Sequence, residues 1–150
     1  MQEIFARTMY VGWGDLDSNA HMANTAYLDK AVDVRMMFFQ THGFTMREFE
    51  RLRLGPVVLR DEVDYLRELR LLEPIKITLL LAGMSDDATR FRLRNEFYRE
   101  DGKLIARLTS TGGWLDLTTR KLIAPPENLI ETLRKLARSD DFEQLPSSLK

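Results

Sequence analysis

The segment Ala26–Gln40, AYLDKAVDVRMMFFQ, carries the strongest helical periodicity in the chain. Tyr27, Ala31, Val34 and Phe38 recur at spacings of four, three and four, and Leu28, Val32, Met36 and Phe39 lie beside them. Residues so spaced fall on one side of a 3.6-residue repeat, so the segment predicts a helix with a wide apolar face. Gly43 is its stop, and His42 stands near its carboxyl end, where the helix dipole favours a cation. A face this broad suits a helix held in the concavity of a sheet better than one on a surface.

The flanks supply that sheet. Ile4–Trp13 reads as a strand, and Asp15–Asn24 as a polar loop, with the side chain of Asn24 or Thr25 expected to cap the helix. Downstream, Pro56–Leu66 alternates and Ile75–Ala82 is nearly all apolar. Arg90–Tyr98 alternates strictly, with Phe91, Leu93, Asn95 and Phe97 on one face and Arg90, Arg92, Arg94 and Glu96 on the other. Glu100-Asp101-Gly102-Lys103 predicts a hairpin into a last strand, Lys103–Leu117, through a two-residue type I′ turn. That loop sets the register: Phe97 against Ala106, Asn95 against Leu108, Leu93 against Ser110 and Phe91 against Gly112. Large residues then oppose small ones beneath a helix, while Glu96 meets Arg107 and Arg94 meets Thr109 on the other face. The Arg90, Arg92, Arg94 row reads as a solvated face, with a cradle for phosphates as the alternative.

Pro125-Pro126-Glu127 opens a short helix to about Arg138, with Leu129, Leu133, Leu136 and Ala137 inward, acid first and base last. Ser139–Lys150 reads as a tail, loosely held or docked on a neighbour. The outline is an α+β fold, one helix against one antiparallel sheet.

The chain has 150 residues, 44% apolar and 30% charged, which is globular composition sized for one domain. Lys and Arg total 22 against 23 Asp and Glu, for a net charge of −1, which argues against nucleic-acid binding by general basic excess. The absence of cysteine excludes thiol catalysis, disulfides, iron–sulfur clusters and thiolate zinc sites. No leader pattern is read in Met1–Arg7, which carries Glu3, and no apolar run reaches the ~20 residues of a spanning helix. A cytoplasmic protein without membrane insertion is the expectation.

One loop carries chemistry. Asp15-Leu16-Asp17-Ser18-Asn19 begins like a calcium loop, but Ala20 replaces the glycine of the sixth position and Ala26 the acid of the twelfth. A divalent metal on Asp15, Asp17 and His21 is a second reading, with no further histidine nearby. A third is a carboxylate acting beside a helix amino terminus. The exposed N–H groups there stabilise an oxyanion, and the carboxylate is a nucleophile or a base for water. On turn statistics Asp17 is equally a turn cap and Asp15 a structural partner of an arginine. His21 either orients the loop or touches substrate, and Met36-Met37-Phe38-Phe39 is core, or a wall tolerant of varied ligand shapes.

Trp13–Tyr27, WGDLDSNAHMANTAY, resembles the hot-dog-fold acyl-CoA thioesterases of the 4-hydroxybenzoyl-CoA thioesterase type. The likeness runs on through Asp64-Tyr65-Leu66-Arg67 and the Glu73-Pro74 turn to about Pro126. It implies one long central helix wrapped by a five- to six-stranded antiparallel sheet, with a short C-terminal helix. The chain would be a single domain, 1–126 the core and 127–150 the C-terminal helix and tail. The resemblance makes Asp17 the catalytic carboxylate and the backbone N–H of Asn24 the oxyanion donor, with His21 and Tyr27 lining the substrate pocket. It implies an acyl-CoA or acyl-carrier thioester substrate, no cofactor or metal, and a homodimer or dimer of dimers whose site forms between two chains. Ala20 departs from the usual glycine. Ser85-Asp86-Asp87 departs from the basic residues some relatives place against nucleotide phosphates. The alternatives on this fold are a hydratase or dehydratase, for which only His21 stands near the site, and a non-catalytic acyl-thioester-binding subunit.

Overall fold

A computed structural model describes residues 4–149. Met1–Glu3, within the segment read as free of a leader pattern, and Lys150, the end of the expected tail, lie outside the described residues. The elements in order are β1 (Phe5–Tyr10), a 3-10 turn (Trp13–Asp15), α1 (Asn24–Thr41), α2 (Met46–Leu52), β2 (Leu54–Tyr65), β3 (Pro74–Ser85), β4 (Arg90–Arg99), β5 (Leu104–Asp116), β6 (Lys121–Ile123), α3 (Glu127–Arg134) and β7 (Arg138–Leu145). The expected α+β architecture, a long helix against one sheet, is present. No helix among the described residues is long and apolar enough to cross a membrane.

The seven strands occupy five lanes in the order β1-β3-β4-β5-β2. β1 and β7 share the outer side of β3, β1 pairing with Phe5 against Leu79 and β7 running parallel with Ser85 against Leu145. β6 continues the β4 side of β5, where Trp114 faces Ile123. This leaves β2 at the opposite edge, with no strand on its outer side among the described residues.

α1 lies as its periodicity predicts. Tyr27, Ala31, Val34 and Phe38 are all buried, and Gly43 ends the helix at φ +89, a conformation glycine adopts without strain. The second apolar row is covered less well: Leu28 and Met36 are half-buried and Val32 is exposed. The helix therefore carries more apolar surface than one chain buries.

The register of β4 on β5 matches the expectation, with Phe91 opposite Gly112, Leu93 opposite Ser110, Asn95 opposite Leu108 and Phe97 opposite Ala106. A Cβ at position 112 would stand 2.3 Å from the Val57 carbonyl oxygen and 2.8 Å from the Phe91 ring, so only glycine fits there. The turn differs from the expected type I′. Gly102 alone has positive φ, its N–H donates to the Arg99 carbonyl, and Arg99 pairs with Lys103. That is a three-residue loop ending in a left-handed glycine. Asp101 keeps negative φ because its carboxylate accepts the Lys103 N–H at 3.1 Å and the Arg99 guanidinium at 3.0 Å. The irregularity between Phe97 and Tyr98 absorbs the extra residue and restores the predicted pairing beyond it.

Three further differences have local causes. β1 stops at Tyr10, short of Trp13, because the Gly12 N–H turns to the Asp15 carboxylate at 2.6 Å and opens the 3-10 turn. α2 lies where no helix is expected. Thr45 caps it by accepting the Glu48 N–H, and Phe44 packs on Phe49 across the cap, a hydrophobic staple. The tail is neither loose nor docked elsewhere, since Arg138–Leu145 is β7 and Ser147 bonds Asp87. Asp87 also accepts from Thr89 and Ser85, and these bonds, Ser147 first, hold its carboxyl well below the usual range.

The core beneath α1 contains one polar knot. Arg35, only 6% exposed, donates to Asn95 Oδ1 at 3.2 Å and Ser110 Oγ at 2.6 Å. Ser110 in turn donates to Asp61 on β2, and Asn95 to the Thr78 carbonyl. Burial lowers the Arg35 pKa, and the Asp61 charge opposes that. A guanidinium stays charged under such a shift, so Asp61 tethers the edge strand to the core.

Candidate active site

The loop between β1 and α1 is built from its own backbone. The Asp17 N–H donates to the His21 carbonyl at 2.9 Å, the Ala20 N–H to the Asp17 carbonyl at 3.1 Å, and the Ala23 N–H to the Asp15 carbonyl at 2.8 Å. Leu16 and Met22 form an antiparallel bridge, and the Met22 N–H reaches the Leu69 carbonyl at 2.8 Å. Ala20 stands at φ +62, the left-handed region. The chain thus keeps a glycine-like bend although the residue is alanine.

Asp17 is exposed at the tip of this loop. Its Oδ1 accepts the Asn19 N–H at 2.8 Å and the His21 N–H at 3.3 Å, so the turn-cap reading holds for that oxygen. Among the described residues nothing is bonded to Oδ2. The carboxylate is therefore oriented through one oxygen and open through the other.

Asn24 is the first residue of α1, and its expected role as a side-chain cap is not met, nor is that of Thr25. Ala23 is the cap residue, in extended conformation and without a side-chain bond. The loop hydrogen bonds that hold the Ala23 N–H fix where the helix starts. Among the described residues the Asn24 and Thr25 N–H groups have no acceptor, and the Asn24 carbonyl accepts the Tyr65 hydroxyl at 3.0 Å. Unpaired donors at a helix start favour an anion.

His21 Nε2 lies 3.1 Å from Glu68, a contact that orients the ring. Tyr27 is buried, edge-on to Tyr65 at 5.2 Å and Phe97 at 5.3 Å. Its phenol is pushed up to about 12 by burial first, then by Tyr65, Glu68, Asp17 and Glu73.

Asp15 backs the site. Its partner is Lys30, at 2.8 Å, rather than the expected arginine. Burial raises the Asp15 pKa, but the Lys30 and Gly12 hydrogen bonds and the Lys30 charge outweigh it and leave the carboxyl below its usual value. With Asp15 held by Lys30 and His21 by Glu68, the metal reading of Asp15, Asp17 and His21 has no cluster to rest on among the described residues.

Arg92 and Arg94 of the arginine row are neither solvated nor a free phosphate cradle. Arg92 pairs with Glu143 at 3.3 Å and Arg94 with Asp141 at 2.7 Å, both partners on β7. Glu68 and Lys30 are site neighbours that the sequence reading passed over, and Tyr65 entered it only within the Asp64–Arg67 likeness. Lys30 had a signal: it borders the apolar stripe three residues after Tyr27 and four before Val34.

The family described as the thioesterase-like superfamily matches residues 11–133. No curated protein matches the sequence. Among solved structures, a hypothetical protein from Staphylococcus aureus in complex with CoA is 25% identical, with a TM-score of 0.82 over 99% of this chain and 93% of that one. A 1,4-dihydroxy-2-naphthoyl-CoA thioesterase from Synechocystis is 15% identical, with a TM-score of 0.80 over 89% and 98%. A probable thioesterase from Escherichia coli is 21% identical, with a TM-score of 0.72 over 89% and 99%.

Proposed function

The chain belongs to the thioesterase-like superfamily and its enzyme class is thioester hydrolase; on that premise we propose that it cleaves an acyl-CoA to the free acid and CoA through Asp17 and the start of α1. The CoA bound by the Staphylococcus aureus protein supports this carrier over an acyl-carrier protein, and a CoA ester suits a cytoplasmic enzyme. The observation that carries the reading is the pairing of a half-satisfied carboxylate with a helix start whose Asn24 and Thr25 N–H groups lack acceptors.

The thioester carbonyl takes its place at the Asn24 N–H, which stabilises the oxyanion as the carbonyl is attacked. The open Oδ2 of Asp17 either attacks the carbonyl carbon, giving an anhydride that water opens, or removes a proton from the attacking water. Thiolate leaves in both routes. Tyr65 steadies the Asn24 peptide, His21 shapes the loop through Glu68, and Tyr27 forms the apolar floor. The groups named are all the chain's own, with no cofactor or metal.

Asp17→Asn removes the attacking or proton-accepting charge and keeps an oxygen for the Asn19 N–H. Its kcat should fall at least a hundredfold, with binding of a CoA thioether little changed. Turnover near the wild-type rate would refute the role. Single turnover in labelled water tests the anhydride route, since label found in Asp17 marks attack of water on its aspartyl carbonyl.

A further inference from the structure

The ion pair of Lys30 and Asp15 takes no part in the hydrolysis described above, yet it is well covered. Lys30 Nζ lies 2.8 Å from Asp15 Oδ2, and the two side chains are 13% and 26% exposed. The pairs that hold His21 and β7 leave their acids about two-thirds exposed. A pair sheltered from water is screened less than one on the surface, so it holds its partners more firmly.

Asp15 is a junction. Its carboxylate accepts the Gly12 N–H at 2.6 Å, and its own N–H returns to the Gly12 carbonyl at 3.0 Å, which closes the 3-10 turn. Its carbonyl accepts the Ala23 N–H at 2.8 Å, directly before α1. Lys30 reaches the same residue from the second turn of α1. The two reacting groups stand next to these tied points: Asp17 follows Asp15 by two residues, and Asn24 follows Ala23 by one. The bonds from Asp17 to His21 and from Ala20 to Asp17 shape the loop from within, and Met22 and His21 tie it to the segment after β2. The Ala23 N–H and the Lys30 ammonium instead join Asp15 to the helix side. Two points of attachment fix an orientation that one would leave free to tilt.

We propose that Lys30 is a positioning residue for the hydrolysis: through Asp15 it sets the Asp17 carboxylate against the Asn24 N–H, without touching substrate. The proposal rests on the thioesterase reading above and adds a residue to its machinery. Without the ammonium, the Asp15 carboxylate keeps the Gly12 N–H alone, against the burial that already opposes its charge. It then turns outward to water, and the 3-10 turn shifts with it. Asp17 moves relative to α1, while the pocket walls on Tyr27 stay in place. A displacement of about 1 Å in a reacting group costs up to roughly a hundredfold in rate.

Kinetics and amide spectra test it separately. Lys30→Met keeps the apolar stem and removes the ammonium. Each variant is assayed well below its melting temperature, with whichever of acetyl-, octanoyl- and benzoyl-CoA the wild type cleaves fastest. In Lys30→Met kcat should fall about tenfold while KM changes less than twofold, because the site is misaligned and not emptied. Lys30→Arg restores a cation and should return kcat to within about threefold of wild type. Asp15→Asn should match Lys30→Met, and the double variant should be no slower than either, since each change breaks the same pair. An unchanged kcat in Lys30→Met, whether or not its melting temperature falls or its KM rises, overturns the proposal. A double variant whose losses multiply also overturns it. Nuclear magnetic resonance reads the geometry without turnover. In Lys30→Met the Asp17, Ala23 and Asn24 amides should shift and the Ala23 amide should exchange faster, while the amides of β4 stay in place. Unmoved loop amides would show that Lys30 does not hold the loop, and the proposal fails. If the wild type cleaves no acyl-CoA and the shifts still appear, the hydrolase reading fails and the hold of Lys30 on the loop stands.

Discussion

Ala20 holds a left-handed conformation at φ +62, where a Cβ costs roughly 1–2 kcal/mol relative to glycine. Replacement by glycine removes that strain but loosens the unfolded chain by about 0.4–1 kcal/mol. Ala20→Gly should therefore stabilise the protein by about 0.5–1 kcal/mol, read as a higher urea midpoint with an unchanged slope. The same substitution keeps the Ala20 N–H bond to the Asp17 carbonyl, so the loop geometry is retained. A loss of stability would mean that the methyl group makes contacts worth more than the strain. At this scale the sequence shows which candidate side chains are neighbours along the chain and not what they meet across it. Asp17, His21, Asn24 and Tyr27 fall together because they share one loop and one helix turn. Glu68, which meets His21, and Tyr65, which meets the Asn24 carbonyl, come from β2 and the segment after it. Local spacing carries no information on such long-range pairs.

Among the elements, β7 is the one held most visibly by charge. Arg94 and Ser139 on Asp141 keep its carboxyl down at about 2, with the Arg94 hydrogen bond the larger cause. A carboxyl whose pKa is lowered by folding stabilises the fold above its unfolded value near 3.9, and that stabilisation is lost as pH falls towards 2. Asp141 is largely exposed, so solvent screening keeps the effect small and local. Hydrogen exchange should show β7 amides losing protection between pH 4 and 2 before those of β3 and β4, and Asp141→Asn should produce the same fraying at neutral pH. Uniform loss of protection across the sheet would contradict this. Elements whose apolar period matched their geometry were legible in the sequence: α1, and β4 against β5 with its register intact despite the wrong turn. β7 was not, because RSDDFEQL has little apolar alternation and its anchors are arginines on another strand. α2 was legible in principle, in Thr45-Met46-Arg47-Glu48 with Phe44 and Phe49 flanking it, but its short apolar pattern did not stand out.

At the scale of the whole molecule, one long strand edge stays open among the described residues. β2 spans twelve residues with Val58 47% and Leu59 51% exposed, and α1 leaves Val32 43% exposed. Unpaired edges of this kind are commonly blunted by charge, by proline or by a partner. Here Pro56 stands at the beginning of the strand and the apolar residues at its middle, so the middle is the part suited to pairing. Two-fold pairing brings the two copies of Leu59 close together at the axis, and a carboxylate there repels its own symmetry mate. Leu59 lies at the irregularity where β2 skips a residue against β5, so its substitution spares the pairing inside the chain. Sedimentation equilibrium should give a dimer or a dimer of dimers for the wild-type protein and a monomer for Leu59→Asp. Near-ultraviolet circular dichroism should be retained, since Trp114 and its aromatic neighbours are fully buried inside the chain behind β2. A wild-type chain that sediments as a monomer at micromolar concentration while turning over at full rate would show the open edge to be idle.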